Sequence, residues 1–348
     1  MIIAFAVNDI NTEKPGYTTT HLALAASCLG HEAWHISLGD FCYDVDENIH
    51  ARATRPRKNN HRRVAPYLQD LRSKDAISEY INVCELDVLM LRNDPAEDVI
   101  SRPWARLAGI NFARFAARHG VMVVNDPDGL TQAVNKLYLQ EFPAEVRPKA
   151  LISQNARQIK TFSKEMGGTI VLKPLYGSGG RNVFLLRPED APNMNQIIET
   201  VTRDGYVIAQ EYLPDAVHGD TRLFMLNGKP LEHQSTYAAI RRIRGDGDMR
   251  SNMTAGATSA PAIINDEILE LAEAIRPQLL HSGMFFVGLD IVGNKLMEIN
   301  VFSPGGLQST EAFTNIKFSR LIIQDLERKL EHRDKTDRHF SNAELAVL

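Results

Sequence analysis

The run Gly288-Leu289-Asp290-Ile291-Val292-Gly293-Asn294-Lys295-Leu296-Met297-Glu298-Ile299-Asn300 sets two carboxylates and an amide among apolar residues. Read as a hairpin with a three-residue loop at 293–295, it places Asp290 opposite Glu298, with Asn300 two residues further along the same face. Carboxylates flanked by Leu289, Ile291 and Ile299 are costly to bury unless a cation neutralises them. Donors that are all oxygen select a hard ion, Mg²⁺ or Mn²⁺, with nucleotide phosphates and water completing its shell. A purely structural carboxylate pair is the alternative.

Other stretches point to phosphate chemistry. In "VLKPLYGSGGRNV" Lys173 closes an apolar strand, and Gly177, Ser178, Gly179 and Gly180 precede another strand. The Walker Gly-Lys-Ser/Thr is missing and no helix follows, so neither the P-loop nor the dinucleotide fingerprint applies. A glycine turn still lets backbone N–H groups approach phosphates while Lys173 supplies a point charge; a plain glycine-rich hairpin explains the same letters. Gln210, Glu211, Tyr212 and Leu213 end a strand just before a bend, which suits a hinge whose backbone reads adenine. Residues 241–257 mix arginines with glycines, as a mobile cationic lid over phosphates would, or an exposed loop.

One motif points elsewhere. His31-Glu32-Ala33-Trp34-His35 spells H-E-x-x-H, a zinc-protease signature that works only on a helix, where the two histidines stand about 6 Å apart. Gly30 reads as a helix stop, and the residues after it alternate as a strand does. On a strand the histidines share a face but lie about 13 Å apart, too far for zinc bonds of about 2.0 Å. The motif is therefore a strand of an α/β unit.

The elements that must position these groups alternate in the first third of the chain. "IIAFAV" is a buried parallel strand, "TTTHLALAASCL" a helix, "HEAWHISL" a strand, 86–91 a strand, 104–119 a helix and 121–124 a strand. Such alternation implies a doubly wound parallel sheet. Arg92, Asn93 and Asp94 leave the carboxyl end of a strand, where open α/β sheets bind ligands; capping of a loop is the alternative. After Pro127 comes a helix over 128–142, then short strands joined by turns at 168–175, 181–186, 205–213 and 220–231, an α+β pattern. The chain therefore divides into 1–125, 126–204, 205–330 and a tail, 331–348.

Composition narrows the class. The 348 residues are 44% hydrophobic and 24% charged, enough for two or three domains with a core. A net charge of −4 gives no reason to expect nucleic acid, and the Lys/Arg-rich, acid-free run at 52–63 reads as a solvated loop. No basic leader or long apolar span is visible, so a cytoplasmic protein without membrane partners is expected. Cys28, Cys42 and Cys84 lack metal or disulfide spacing and are expected to be buried thiols.

Taken together, Lys136 in "NKLY", Lys173 with its glycines, "AQEYLP", "GDTRL" and "FVGLDIVGNKLMEIN" resemble the ATP-grasp superfamily, most closely the bacterial glutathione synthetases. With "IAFAVNDI", "HISLGD", "LRNDP" and "VVNDP" the resemblance covers nearly the whole chain. It implies an ATP-grasp fold: a doubly wound N-terminal domain followed by two α+β subdomains that clamp the nucleotide. It implies a carboxylate-amine ligation through an acyl phosphate, with small-molecule or peptide carboxylate and amine substrates, and a homo-oligomer, dimer or tetramer. By position, Lys136 and Lys173 would hold phosphates, while Glu211 and Leu213 would present backbone atoms to adenine. Asp290, Glu298 and Asn300 would hold two Mg²⁺, and Arg222 would face the transferring phosphoryl group. Arg242, Arg250, Asn252 and Gly256 match a lid that keeps water from the acyl phosphate.

The departures concern the substrate. Arg92-Asn93-Asp94-Pro95 stands where such synthetases usually carry Arg-Lys-Asp-Pro, and Phe302-Ser303-Pro304-Gly305-Gly306-Leu307-Gln308 replaces a Thr-Ser-Pro-Thr-x-Ile-Arg run. By the resemblance, Ser303, Gly305 and Gly306 would lie beside the incoming amine. Glutathione synthesis and ligation of a different amino acid, peptide or protein tail both remain open. A nucleotide-binding regulator without catalysis is a third reading, opposed by the retained lysines, arginines and carboxylates.

Overall fold

The computed structural model describes residues 1–98, 101–177, 182–190, 192–203, 205–244 and 258–348. The chain begins with β1 (Ile2–Val7), α1 (Thr18–Cys28), β2 (Glu32–Ser37), β3 (Phe41–Tyr43), β4 (Ile49–Arg55), α2 (Val64–Leu71), β5 (Ile77–Asn82), β6 (Val88–Leu91), α3 (Ala108–Arg118) and β7 (Met122–Val124). Strands β2, β1, β6 and β7 lie side by side and parallel. Both faces of β1 are covered, which is why its sequence is apolar without alternation. Ile3 and Phe5 pack with Leu22, Ala23 and Ala26 of α1, while Ala4 and Ala6 share the other core with Ile110, Ala113 and Ala116 of α3.

The parallel sheet carries an antiparallel extension that the sequence reading missed. Strand β4 pairs with β2, β3 and β5, so Arg52 to Arg55 belong to a strand and only 56–63 form the expected loop. Ile49, Ala51 and Ala53 point inward, and Arg52 points to solvent. The arginines hid a period-two pattern whose inward members are mostly small. The guanidinium of Arg55 lies 5.0 Å from the Trp34 ring centroid and 3.7 Å from Glu32.

Three further expectations are corrected. Cys28 and Cys42 are exposed and Cys84 half-buried, because Cys28 ends α1 and Cys42 sits in the short β3. Helix α3 starts at Ala108, after a 3₁₀ turn over Pro103–Arg106. The single helix expected over 128–142 is instead α4 (Pro127–Gln132) and a 3₁₀ turn, Lys136–Glu141. Asn135 divides them: its side-chain oxygen accepts from the Leu137 N–H at 2.9 Å and so caps the second piece.

The central sheet holds β8 (Ala150–Ser153), β9 (Ile170–Pro174), β10 (Phe184–Leu186) and β11 (Val207–Glu211), all antiparallel in the order β10-β9-β11-β8. Helices α5 (Ala156–Glu165) and α6 (Met194–Thr202) cover it, burying Ile159, Ile198 and Val201 against Ile170, Leu172 and Val207. Strand β11, expected to open the 205–330 segment, is thus an inner strand of the central sheet. Pairing between strands distant in sequence places it there, and no local pattern reports that.

The last sheet has the order β17-β16-β12-β18-β19, with β13 beside β12. Its members are β12 (Asp220–Leu226), β13 (Lys229–Pro230), β16 (Ala239–Ile243), β17 (Thr258–Pro261), β18 (Phe286–Val292) and β19 (Lys295–Asn300); β14 (Glu232–His233) and β15 (Thr236–Tyr237) pair apart from it. Helix α7 (Asp266–His281) precedes β18, and α8 (Leu307–Thr314), α9 (Phe318–Lys335) and α10 (Asn342–Ala346) close the chain. The segment expected as a tail is folded back. Leu345 and Ala346 are buried in the core shared with α1, and Asn342 receives the Val123 N–H at 2.8 Å and donates to the Val123 carbonyl at 3.0 Å.

The zinc-protease letters fall on β2, as the strand spacing requires. His31 pairs with Glu327 at 2.7 Å, and His35 is fully buried between the rings of Phe5 and Tyr67. Burial pushes the His35 imidazole down to about 4 from its ordinary 6.5. The unfolded chain therefore binds this proton more readily than the folded one, so the stability present above pH 6.5 is lost as pH falls through 4, about 3 kcal/mol in all. His35→Phe is expected to lose correspondingly less stability than wild type between pH 7 and pH 4 in urea titrations; equal losses would remove His35 as an acid-sensitive site.

Candidate active site

The site grows from the face that β16, β12, β18 and β19 present. Arg222 on β12 stands opposite Asp290 on β18, Asp220 on β12 stands opposite Arg242 on β16, and Asp290 stands opposite Glu298 on β19. The expected Asp290–Glu298 pairing is present, but a different device creates it. Val292 pairs with Lys295 across a two-residue turn, and a register shift between Asp290 and Ile291 leaves Met297 as the extra residue. Gly293 opens that turn with φ +57°. Near the other end of β18, Gly288 makes room for Arg222, since a Cβ there would lie 2.9 Å from Arg222 Cδ.

Asp290 is 3% exposed and carries several donors. Arg222 bonds it through Nε and, at 2.9 Å, through a terminal nitrogen; Arg242 reaches it at 2.7 Å and the Asn300 amide at 3.3 Å. Burial alone would raise its pKa, but Arg222 and then Arg242 outweigh burial and hold the carboxyl well below the usual range. Arg242 also grips Asp220 with two bonds of 2.6 and 2.8 Å, and Arg222 donates to the Gly305 carbonyl at 2.9 Å. Glu298 is half-buried and bonded to Lys136. Its pKa is lowered because Lys136 overcomes the opposing effect of burial.

Above this face lies a cavity with two kinds of wall. Val134, Leu139, Leu175, Ile208, Met297 and Ile299 give it an apolar side, and Lys136, Lys173, Gln210, Glu298 and Asn300 a polar one. The apolar part suits a flat heterocycle and the two lysines suit phosphates. Lys173 is pushed down to about 8, first by burial and then by the neighbouring Lys136 charge. Lys136 is set at the cavity by its own backbone, whose N–H donates to the Leu175 carbonyl at 3.1 Å.

The other expected residues divide. Gln210 lines the cavity and reaches Met297 Sδ at 3.5 Å. Glu211 instead pins β11 to its neighbour: its carboxylate accepts from the Lys149 N–H at 2.7 Å, and its own N–H donates to the Lys149 carbonyl at 2.9 Å. Tyr212 and Leu213 follow at the strand end, and the Leu213 carbonyl accepts from the Ala216 N–H at 3.0 Å. Gly177, Asp94 and Ser303 line the cavity. Arg92 and Asn93 are buried outside its lining, at 3% and 1% exposure. The Arg92 guanidinium donates to Thr19 Oγ1 at 3.1 Å and to the carbonyls of Phe302 and Pro304, each at 3.3 Å. Burial pushes it down to about 10. Gly305 serves through the carbonyl that Arg222 holds, and Gly306, with φ +102°, caps α8. Ser178, Gly179, Gly180, Arg250, Asn252 and Gly256 lie outside the described residues.

Two residues central to the arrangement were not anticipated. Asp220 could have been found from its i, i+2 spacing to Arg222, which puts both on one strand face. Asn125, whose amide bonds both the N–H and the carbonyl of Phe286, has no local signature. Asp290, Glu298 and Asn300 offer oxygen donors on two adjacent strands, and the negative charge they gather is balanced by Arg222, Arg242 and Lys136. That donor set fits Mg²⁺ or Mn²⁺ and is unlike a zinc site.

Comparison with known proteins agrees with this geometry. Residues 1–131 match the N-terminal domain of prokaryotic glutathione synthetase and residues 135–315 match its ATP-grasp domain. Glutathione synthetase of Vibrio vulnificus is 35% identical over 72% of this chain and 76% of its own length. Glutathione synthetase of Salmonella typhimurium is 31% identical over 94% of this chain and 98% of its own. Among solved structures, D-cycloserine synthetase DcsG superposes with a TM-score of 0.64 at 16% identity, covering 93% of this chain and 99% of that one. The ATP-grasp ligase PsnB with minimal precursor, Mg and ADP gives a TM-score of 0.57 at 14% identity, covering 95% and 98%. No described helix is long and apolar enough to cross a membrane. An ATP-grasp fold matched by both family domains in order makes this chain a member of the prokaryotic glutathione synthetase family and an ATP-dependent C–N ligase.

Proposed function

We propose that the ligase joins γ-glutamylcysteine to glycine, forming glutathione with release of ADP and phosphate. The observation that carries this reading is the cavity in which Lys136, Lys173, Glu298 and Asn300 converge below an apolar wall, in a chain whose relatives carry that name. In the proposed pose the base lies against Ile208, Leu139 and Met297, and Lys136 and Lys173 meet the phosphates. Asp290, Glu298 and Asn300 would hold Mg²⁺, which when bound neutralises charge on the transferring phosphoryl group.

The substrate carboxylate attacks the γ-phosphorus, the bond to ADP breaks, and an acyl phosphate forms. The amine then attacks the acyl carbon, phosphate leaves with the electrons of the C–O bond, and the amine gives up a proton as the amide forms. Arg222 and Arg242, fixed on adjacent strands, supply positive charge beside the oxygens that gain negative charge in both steps. To exchange Glu298 for a phosphate, Lys136 has to swing off the carboxylate, which frees Glu298 for metal.

The acceptor end supports a second reading. Among the described residues the cations lining the cavity are Lys136 and Lys173, while Arg92 is spent on two carbonyls and Asn93 is buried. An acceptor with no carboxylate to be paired there, such as the amine of another amino acid derivative or a peptide tail, fits that wall as well. ADP release with Mg²⁺ATP and γ-glutamylcysteine separates the two. Turnover that needs glycine supports glutathione synthesis; turnover with other amines but not glycine refutes it.

Glu298→Gln is expected to lower the rate by more than about 10²-fold while leaving the fold intact, as removal of an electrostatic stabiliser does. Near-normal turnover would refute its metal role. Lys173, at about 8, is largely neutral above that pH, and bound phosphates favour the ammonium form. ADP binding at pH 8.5 is therefore expected to take up a proton, read by calorimetry in buffers of different ionisation heat, and to take up little at pH 6.5. Lys173→Met should abolish the uptake; its persistence would move the linked group elsewhere.

A further inference from the structure

Four ionic side chains alternate in sign across one face of three adjacent strands. Arg242 comes from β16, Asp220 and Arg222 from β12, and Asp290 from β18, each 8% exposed or less. Two guanidinium groups and two carboxylates cancel, which lets the set stay buried. The bonds are not evenly shared. Asp290 serves Arg222, Arg242 and Asn300 at once, and each oxygen of Asp220 accepts a bond from Arg242.

A divalent cation arriving at Asp290 competes with those donors for two oxygens, so a donor must yield. Arg222 is bound to Asp290 through two nitrogens, and among the described residues its remaining partner is a neutral carbonyl, that of Gly305. Arg242 touches Asp290 through one nitrogen and has a second carboxylate in hand. Its release strands no buried charge, and it stays aimed at the site. From this asymmetry we infer that Asp220 is a positioning residue for ligation: it retains Arg242 so that Asp290 can be handed to the metal. The inference rests on the metal role of Asp290 proposed above.

Among the described residues, removing the Asp220 charge leaves Arg242 with Asp290 as its carboxylate partner, and the cation then competes against a tighter grip. In Mn²⁺ titrations of the ADP complex followed by electron paramagnetic resonance, Asp220→Asn is expected to weaken Mn²⁺ binding about 10-fold. Metal-free ADP affinity should stay within about twofold, because Asp220 is not among the cavity-lining residues. The double variant Asp220→Asn/Arg242→Gln removes the competitor as well and is expected to recover most of the lost affinity. A merely structural role for Asp220 gives no such recovery.

Wild-type Mn²⁺ affinity in Asp220→Asn, or a double variant as weak as the single, overturns the inference and leaves the metal site standing. Absence of any ADP-dependent Mn²⁺ site in wild type overturns the metal role itself and the inference with it. If Asp220→Asn does not fold, Arg242→Gln alone decides: affinity equal to or tighter than wild type supports competition for Asp290, and weaker affinity overturns it.

Discussion

A carboxylate at the centre of an apolar sheet has to be neutralised, and much of the second half of this chain is arranged around doing so for Asp290. The carboxylate is itself only 3% exposed, so the protein has to supply most of its compensation. The compensation comes from strands on both sides: β12 contributes Arg222, β16 contributes Arg242 and β19 contributes the Asn300 amide. Register is therefore an electrostatic matter here. A slip of one residue in β12 would turn Arg222 and Asp220 to the apolar face that Leu223 and Met225 occupy in the native register, and leave Asp290 without Arg222.

Besides the apolar clusters that the N-terminal and last sheets share, polar clasps join the sheets. Asn125, just after β7, bonds both backbone groups of Phe286 in β18, behaving as one more peptide unit at a strand end. Arg92, just after β6, ties the N-terminal sheet to the carbonyls of Phe302 and Pro304. The Lys136 N–H, bound to the Leu175 carbonyl, connects the segment after α4 to the central sheet. Two of the clasps reach the cavity lining, one through Phe302 and one through Lys136 and Leu175, so these bonds help fix both the site and the placement of the sheets.

Features with a local cause were legible in the sequence. The strand character of "EAWHIS", the turn at Asn227-Gly228 and the facing of Asp290 with Glu298 follow from alternation and turn chemistry acting over a few residues. The Met297 bulge was not legible, because a three-residue loop and a two-residue turn with a bulge both pair Asp290 with Glu298. The break at Asn135 was masked by good helix formers on both sides, and β4 by its arginines. Strand β11 was given to the wrong sheet because its partners, β8 and β9, are set by tertiary packing. The placement of Arg92 was the least accessible of all: a cation at a strand's carboxyl end reads as a ligand contact, and here it bonds Thr19 and two carbonyls more than 200 residues away.

The fold of the last residues bears on how the N-terminal sheet meets its surroundings. Strand β7 is an outer strand, and outer strands offer unsatisfied peptide groups on which another chain can template itself. The Asn342 side chain occupies one such position by bonding both backbone groups of Val123, and α10 lies over the rest. A shortened chain ending before Asn342 would keep every group of the ligation cavity and still lose its guard against edge-to-edge association, so protection of the sheet edge and chemistry are entrusted to separate stretches of the same polypeptide.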